Sequence, residues 1–258
     1  MPQYSTNAIY EFLKVQTELN NNYLYIQDGN WMLIYGDANA VPKLLLIVSR
    51  IEGDLLQPRS AFEEHAVRLL AGQQIPIRIL RFEEKQFSEQ VSISSVDNLT
   101  FKIMPTDKLY AELFQPYNLT ADSSIATKQV NDATSSTFHD WQRSFLSGKL
   151  KVTDIDVIVY NNDYVILRIY ELKRSFYALA KWNPYPADYA NFILLRRAFK
   201  ENIPILILYN MFTGKPRVED ISLLRVFKVS DDKPTIQNIH YELDGNQIFD
   251  FPIARLFN

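Results

Sequence analysis

Apolar segments alternate with polar turns along the first 120 residues. Helical spacing of apolar positions predicts a helix over residues 8–20, and a second helix is predicted over 61–70. Four segments rich in aliphatic and aromatic residues predict strands, the first three of them in a small antiparallel sheet: YLYIQ, WMLIYG, KLLLIVSRI and residues 75–82. Residues 1–120 are therefore predicted to form an α+β accessory domain.

The composition changes between Tyr117 and Thr137, where small polar residues replace large apolar ones. This change is typical of a linker, which we place at residues 121–134. The later pattern predicts a helix over 138–146, strands over 152–160 and 164–173, a helix over 187–200, and strands over 203–209 and 223–229. Residues 135–258 are thus predicted to form a second α/β domain, a mixed sheet flanked by helices in the order α-β-β-α-β-β.

The two halves share a weak internal pattern. LLLIVSRIE precedes a helix and then QQIPIRILRF, much as VILRIYELK precedes a helix and then ENIPILILYN. A duplicated domain would produce this similarity, but amphipathic helices followed by apolar strands also recur in unrelated α/β domains. Chance recurrence is the simpler explanation on sequence grounds.

Composition excludes several kinds of chemistry. The 258 residues include no Cys, so disulfides, zinc–thiolate sites, iron–sulfur clusters and thiol nucleophiles are excluded. None of the seven Gly forms a phosphate-binding Gly-rich motif, and the formal charge of -3 gives no overall attraction to nucleic acid. The sequence shows no secretory signal and no apolar run near the roughly 20 residues that span a bilayer, which predicts a cytoplasmic protein without a membrane partner.

Charged residues interrupt the apolar strands predicted between positions 151 and 175. Asp154 and Asp156 lie on the first of these strands, and Glu171 and Lys173 lie on the second. Side chains alternate along a strand, so each of these pairs shares one face. A two-residue turn would place Asp154 opposite Glu171 and all four side chains on one face, whereas a one-residue slip would separate the pairs.

Clustered carboxylates need either a cation or mutual pairing, because burying unpaired charge is costly. Asp and Glu oxygens suit Mg²⁺ or Mn²⁺, which support phosphodiester hydrolysis by activating a bound water, and a neighbouring Lys can offset the developing negative charge. A salt-bridged end of a sheet is the alternative that involves no catalysis.

Asp156, a spacer and then Glu171-Leu172-Lys173 resembles the D…(D/E)xK signature of the PD-(D/E)xK nuclease superfamily, whose restriction-endonuclease-like core is similar to the predicted α-β-β-α-β order. The resemblance covers about residues 135–230. It implies Asp156, Glu171 and the backbone carbonyl of Leu172 as metal ligands and Lys173 as the catalytic lysine. Asp154 is a reserve ligand.

The same resemblance extends to an accessory acidic position on the preceding helix. Family members often carry an acidic residue there, for which Asp140 beside His139 is the nearest candidate. The Pro that often precedes the first Asp is absent from this chain. The three His residues are dispersed and form no zinc motif.

Residues 164–200 carry seven basic and two acidic side chains, a local charge of +5 that suits contacts with phosphates. Within and near this stretch, the predicted substrate-binding residues are Arg174, Lys181, Arg196 and Arg197. Helical phase does not decide between the last two. An aromatic set could either stack on bases or belong to the core: Phe176, Tyr177, Trp182, Tyr185 and Tyr189.

The resemblance implies a Mg²⁺- or Mn²⁺-dependent nuclease, an endonuclease, acting on nucleic acid. DNA is favoured over RNA because most of the superfamily acts on DNA. Two alternatives remain: a non-catalytic module that binds nucleic acid or protein, and a subunit whose site needs a partner protein. Cleavage of both strands of a duplex would favour a homodimer. The N-terminal half could recognise substrate, mediate dimerisation or be a degenerate nuclease-like fold.

Overall fold

The structure, a computed structural model, describes residues 7–20, 22–27, 29–98, 100–119, 136–146, 150–214, 218–230 and 236–257. The predicted linker at 121–134 lies outside these residues. The helices and strands are α1 (Ala8–Asn20), β1 (Tyr23–Tyr25), β2 (Asn30–Gly36), β3 (Pro42–Arg50), α2 (Ala61–Leu70), β4 (Ile77–Phe82), β5 (Gln90–Ser95), β6 (Lys102–Pro105), α3 (Leu109–Leu113), α4 (Thr137–Phe145), β7 (Lys151–Asp154), β8 (Val157–Tyr160), β9 (Ile166–Ser175), α5 (Tyr189–Ala198), β10 (Ile205–Thr213), β11 (Val218–Val229), β12 (Ile236–Asn238), β13 (Tyr241–Leu243), β14 (Asn246–Ile248), β15 (Asp250–Pro252) and α6 (Ile253–Phe257).

The mixed α/β class expected from the sequence is confirmed. The local patterns also located α1, α2, α4, α5 and most of the longer strands. Strands β5 and β6 were not predicted, because their segments are polar and only weakly patterned. No helix of the described residues is long and apolar enough to cross a membrane.

Two compact units divide the chain. One consists of the described residues within 26–154, and the other combines those within 5–25 and 155–258. This division differs from the predicted domains, 1–120 and 135–258. It follows from strand pairing: β1 is hydrogen-bonded to β8, and β7 is hydrogen-bonded to β2. The predicted sheet of three successive strands is therefore wrong for β1, although β2 and β3 do pair antiparallel.

The first unit contains a six-stranded sheet in the order β6-β5-β4-β3-β2-β7. Its strands β3 and β4 are parallel and are connected through α2. A core on one face of the sheet packs aromatic side chains of α4, among them Phe138 and Trp141, against apolar residues of β2 and β3. Burial of this apolar face is what stabilises the short helix α4.

A buried ion pair lies in the first unit. Arg81 on β4 is 1% exposed and Glu63 on α2 is fully buried. Arg81 donates hydrogen bonds to both oxygens of Glu63 and to the backbone carbonyls of Gln57 and Pro58. Glu63 also accepts from the backbone N–H of Ser60 at 2.8 Å, which completes a capping box at the start of α2. The pair therefore fixes the strand, the helix and the intervening loop together.

The second unit contains a seven-stranded sheet with the path β1-β8-β9-β10-β11-β12, and β15 pairs with β11. Strands β9 and β10 are parallel and connected through α5, whereas β8 and β9 are antiparallel. Ile9 and Leu13 of α1 pack into a core with Val157, Tyr170 and Leu172 on one face of this sheet. Residues of alternate positions, including Glu171 and Lys173, project from the opposite face.

Candidate functional site

The predicted strand over 152–160 is two strands separated by Ile155 and Asp156. Asp154 ends β7, where it lies opposite Leu33 of β2, and its side chain is exposed. The prediction that Asp154 lies opposite Glu171 is therefore wrong, because the strand that carries it belongs to the other sheet. Asp154, the predicted reserve ligand, thus belongs to the first unit, whereas Asp156, Glu171 and Lys173 belong to the second.

The hairpin between β8 and β9 also differs from the predicted two-residue turn. Tyr164 has a φ of 60°, and a β-bulge between Val159 and Tyr160 shifts the register of β8 against β9. Val157 lies opposite Tyr170, a register shifted by two residues from the predicted one. An even shift keeps every side chain on the same face. Asp156 is the residue before Val157, and continuing this register by one residue places it opposite Glu171.

Hydrogen bonds from Leu172 and Tyr10 hold the Asp156 carboxylate. The backbone N–H of Leu172 donates to Oδ2 at 2.7 Å, and the Tyr10 hydroxyl donates to Oδ1 at 3.0 Å. The N–H and C=O of a strand residue point to the same neighbouring strand, so the Leu172 carbonyl faces the side on which Asp156 lies. Local folding thus brings the carboxylate and this carbonyl to one edge of β9.

Glu171 and Lys173 form an ion pair on the same face of β9. The Lys173 Nζ lies 2.6 Å from Glu171 Oε1 and 5.6 Å from the centroid of the Phe192 ring on α5. Glu171 is almost fully buried, whereas about a third of the Lys173 side chain is exposed, at 33%. Lys173 is therefore held by a buried carboxylate, and part of its side chain is exposed to solvent.

The electrostatic surroundings keep Lys173 charged. Burial by itself lowers the pKa of Lys173, but the carboxylates of Glu171, Asp156 and Asp188 and the hydrogen bond to Glu171 outweigh it and raise this pKa above its ordinary value. Lys173 is thus a cation at neutral pH. In this state it can attract and stabilise negative charge but cannot accept a proton.

The donor set fits a hard divalent cation. No group of three or more His, Cys, Asp or Glu side chains suited to a metal occurs among the described residues. Mg²⁺, however, commonly uses only one or two carboxylates and completes its octahedral coordination with waters and substrate oxygens. Asp156, Glu171 and the Leu172 carbonyl supply oxygen ligands of this kind at adjacent positions of two strands.

Tyr10 and Asp188 are the site residues that the sequence did not reveal. Tyr10 precedes Asp156 by 146 positions and reaches it only because α1 packs in the second unit. Asp188 is the residue immediately before α5 and acts on Lys173 through its charge. Neither position carries a motif, so only tertiary structure could identify them.

Arg196 is not available for the predicted contact with substrate. Its guanidinium is buried and donates to the backbone carbonyls of Ile203, Phe199 and Lys200, the segment that follows α5. These contacts satisfy carbonyls at a helix C-terminus, where a cation is also favoured by the helix dipole. Of the two arginines that sequence could not distinguish, Arg197 is the exposed one.

Arg174 lies on the face of β9 opposite to that of Glu171 and Lys173. It forms an ion pair with Glu219, which also accepts from the backbone N–H of Ala8 at 3.0 Å. Arg174 therefore links β9 with β11 and the start of α1 instead of facing the candidate site. Lys181, in contrast, is exposed in the segment between β9 and α5.

The aromatic set divides into core and surface residues. Trp182 is buried and stacks on Tyr209, with ring centroids 4.2 Å apart and planes 2° from parallel. Phe176, Tyr177 and Tyr185 are exposed. The segment between β9 and α5 therefore presents three aromatic rings and Lys181 to solvent, next to the strand end that carries Lys173.

His139 and Asp140, the predicted accessory residues, belong to α4 and hence to the first unit. His139 Nδ1 lies 2.9 Å from the Ser136 hydroxyl, and its ring packs edge-on against Trp31. Asp140 is paired with Arg143 on the helix surface at 3.1 Å. Both residues thus have local partners in the first unit, and the helix that packs beside Asp156 is α1.

No protein-family model matches this sequence, and neither a curated protein nor a solved structure matches the chain.

Proposed function

We propose that the second unit is a metal-dependent nuclease that hydrolyses phosphodiester bonds of nucleic acid, with DNA the favoured substrate. The observation that carries this proposal is the convergence of Asp156, which precedes β8, with Glu171 and Lys173 in the second half of the adjacent strand β9. In chain order the unit contains α1-β1-β8-β9-α5-β10, and within it α1, β8, β9, α5 and β10 follow an order similar to the α-β-β-α-β core of the PD-(D/E)xK superfamily. Here α1, not α4, occupies the first position.

Each residue has a distinct role in the proposed reaction. Asp156, Glu171 and the Leu172 carbonyl would hold Mg²⁺ or Mn²⁺, which when bound polarises the phosphoryl oxygen and lowers the pKa of a coordinated water. The protonated Lys173 stabilises negative charge that develops on the phosphate. Tyr10 and the Leu172 N–H orient Asp156. Exposed Lys181 and Arg197 attract the phosphate backbone, and the exposed aromatic rings suit contacts with unpaired bases.

Glu171→Gln tests the ligand role at constant side-chain size. We expect loss of Mn²⁺ binding by calorimetry and a decrease in Mg²⁺-dependent cleavage of at least about 100-fold, because a metal supplies several kcal/mol of charge stabilisation. The matched control is Glu242→Gln, since the Glu242 side chain is 60% exposed on β13 of the same unit. Linear, circular, single-stranded and branched DNA and a structured RNA serve as substrates.

The two alternatives predict other results for the wild-type protein. A binding module would retain nucleic acid in EDTA and cleave nothing in Mg²⁺ or Mn²⁺. A subunit that needs a partner would bind Mn²⁺ through Glu171 yet cleave only after reconstitution with that partner. Either outcome would contradict an autonomous nuclease.

Tyr10→Phe tests the orientation of Asp156. Removing the hydroxyl deletes one hydrogen bond to a charged group, and we expect Mn²⁺ affinity to fall by about 10-fold or more. Tyr110→Phe is the control, because Tyr110 makes a comparable hydrogen bond of 3.1 Å to the Leu119 carbonyl in the first unit. Equal Mn²⁺ affinities for both variants and the wild type would show that Tyr10 does not position the carboxylate.

A further inference from the structure

The sheets of the two units have the same sequence of strand directions. From one edge, β7-β2-β3-β4-β5-β6 has two antiparallel pairs, one parallel pair and two antiparallel pairs. The path β1-β8-β9-β10-β11-β12 has the same succession. In each sheet a ten-residue helix connects the two parallel strands: α2 in the first unit and α5 in the second.

Details of hydrogen bonding reinforce this equivalence. An Ile-Pro dipeptide precedes the second parallel strand in both units. The carbonyl of Pro76 accepts from the N–H of Leu45 at 2.9 Å, and the carbonyl of Pro204 accepts from the N–H of Ile169 at 3.0 Å. The weak internal sequence pattern therefore coincides with equivalent positions in space. Chance, the simpler explanation from sequence alone, does not account for matching topology, helices and register.

Each unit takes its outer strand and one packing helix from the other half of the sequence. The pair α1-β1 completes the second unit, whereas α4-β7 completes the first. Both pairs consist of a helix followed by a strand that joins the same edge of its sheet. The arrangement is a reciprocal exchange of the first helix and strand between two copies.

The register identifies the counterparts of the candidate site. Leu45 pairs with Ile77 as Ile169 pairs with Ile205, so Ile47 corresponds to Glu171 and Ser49 to Lys173. Met32, which lies opposite Ile47, occupies the place of Asp156. All three residues of the first unit are buried and neutral, and none supplies a carboxylate.

The buried ion pair occupies the neighbourhood of these counterparts. Arg81 lies opposite Ser49 in the register, as Tyr209 lies opposite Lys173. Arg81 binds carbonyls of the loop before α2, whereas Tyr209 donates to the carbonyls of Tyr177 and Ser175 before α5. In both units, a side chain of the second parallel strand thus binds backbone carbonyls of the loop before the connecting helix. The first unit contains no acidic cluster at the position equivalent to the candidate site.

We infer that the chain is an internal duplication of one nuclease-like unit, in which the first copy has lost its site and each chain retains one hydrolytic centre. This inference rests on the proposed function. Each event then adds one water across one P–O bond and leaves one phosphomonoester end and one hydroxyl end. A duplex bound by one chain is therefore nicked in one strand.

Two measurements on the full-length chain test this inference. Mn²⁺ titration followed by electron paramagnetic resonance should show that Asp156→Asn removes all tight Mn²⁺ binding. Supercoiled plasmid incubated with wild-type protein and Mg²⁺ or Mn²⁺ should accumulate as nicked circles at a rate proportional to protein concentration. Circular dichroism verifies that the isosteric variant is folded.

The outcomes separate the inference from the proposed function. A tightly bound Mn²⁺ that survives Asp156→Asn would overturn the single-centre inference and leave a nuclease. Linear DNA that forms without a nicked intermediate would do the same if light scattering shows the protein to be a monomer, because a dimer of single-centre chains could also cut both strands. Absence of both cleavage and Asp156-dependent Mn²⁺ binding would overturn the proposed function and the inference with it. If all tight Mn²⁺ binding depends on Asp156, the result supports a single centre even when the plasmid is not cleaved.

Discussion

Replacing Lys173 with methionine is expected to lower the rate of metal-dependent cleavage by about 100- to 1000-fold, the effect of removing one preorganised charge-stabilising group. Methionine keeps the length and apolar stem of the side chain but removes the ammonium group. The carboxylates of Glu171, Asp156 and Asp188 outweigh the effect of burial, which lowers the pKa of Lys173, and hold this group protonated beside Glu171. We expect the decrease to appear in the rate constant of cleavage measured under single-turnover conditions, with little change in the affinity for nucleic acid.

Lys228→Met is the matched control, because Lys228 is exposed on β11 of the same unit. Its cleavage rate should equal that of the wild type. Removing Lys173 also leaves the nearly buried Glu171 without its 2.6 Å ion pair, so melting curves must show that the assay temperature lies below unfolding. A folded Lys173→Met variant that retains cleavage within a few-fold would assign Lys173 a purely structural role.

Arg81→Met is expected to destabilise the first unit by about 3–5 kcal/mol, the usual cost of removing one partner from a buried ion pair. Glu63 would remain fully buried without its cation, and the carbonyls of Gln57 and Pro58 would lose their donor. Denaturant unfolding followed by tryptophan fluorescence measures this effect. Trp31 and Trp141 report on the first unit, since both belong to its core.

Arg143→Met provides the control for loss of an ion pair alone. Arg143 and Asp140 are 36% and 65% exposed, and such surface pairs contribute about 0–1 kcal/mol. The double variant Arg81→Met/Glu63→Leu should recover much of the lost stability, because apolar replacement of both partners is often neutral or stabilising. Equal unfolding midpoints for Arg81→Met and Arg143→Met would show that burial does not make the Arg81–Glu63 pair more important for stability than an exposed ion pair.

Residue patterns within short segments of the sequence explain which helices, strands and strand faces could be predicted. Helical spacing located α2, α4 and α5, and the alternation of side chains along a strand placed Glu171 and Lys173 on one face. The predicted hairpin register was wrong by two residues, an even number that leaves the faces of β8 and β9 unchanged, but Asp156 itself lies outside β8 and is held by Tyr10 and the Leu172 N–H.

Long-range pairing explains what could not be predicted. The segment 152–160 has one continuous β pattern, yet β7 and β8 join different sheets. No local pattern in the sequence indicates that β1 pairs with β8 or that Tyr10 donates a hydrogen bond to Asp156. It also could not distinguish buried Arg196 from exposed Arg197, because helical phase alone does not show which carbonyls the chain brings back to a helix end.

By itself, the sequence determined the α/β class, most local elements and the chemical identities of Asp156, Glu171 and Lys173, because these depend on residue type and on spacing over a few positions. The tertiary structure decided the composition of each unit, the hydrogen bonds that hold Asp156, the place of Asp154 in the other sheet, and the partners that occupy Arg174 and Arg196. The physical reason is that backbone hydrogen bonding of a strand is satisfied equally by many partners, and only packing of the whole chain selects one.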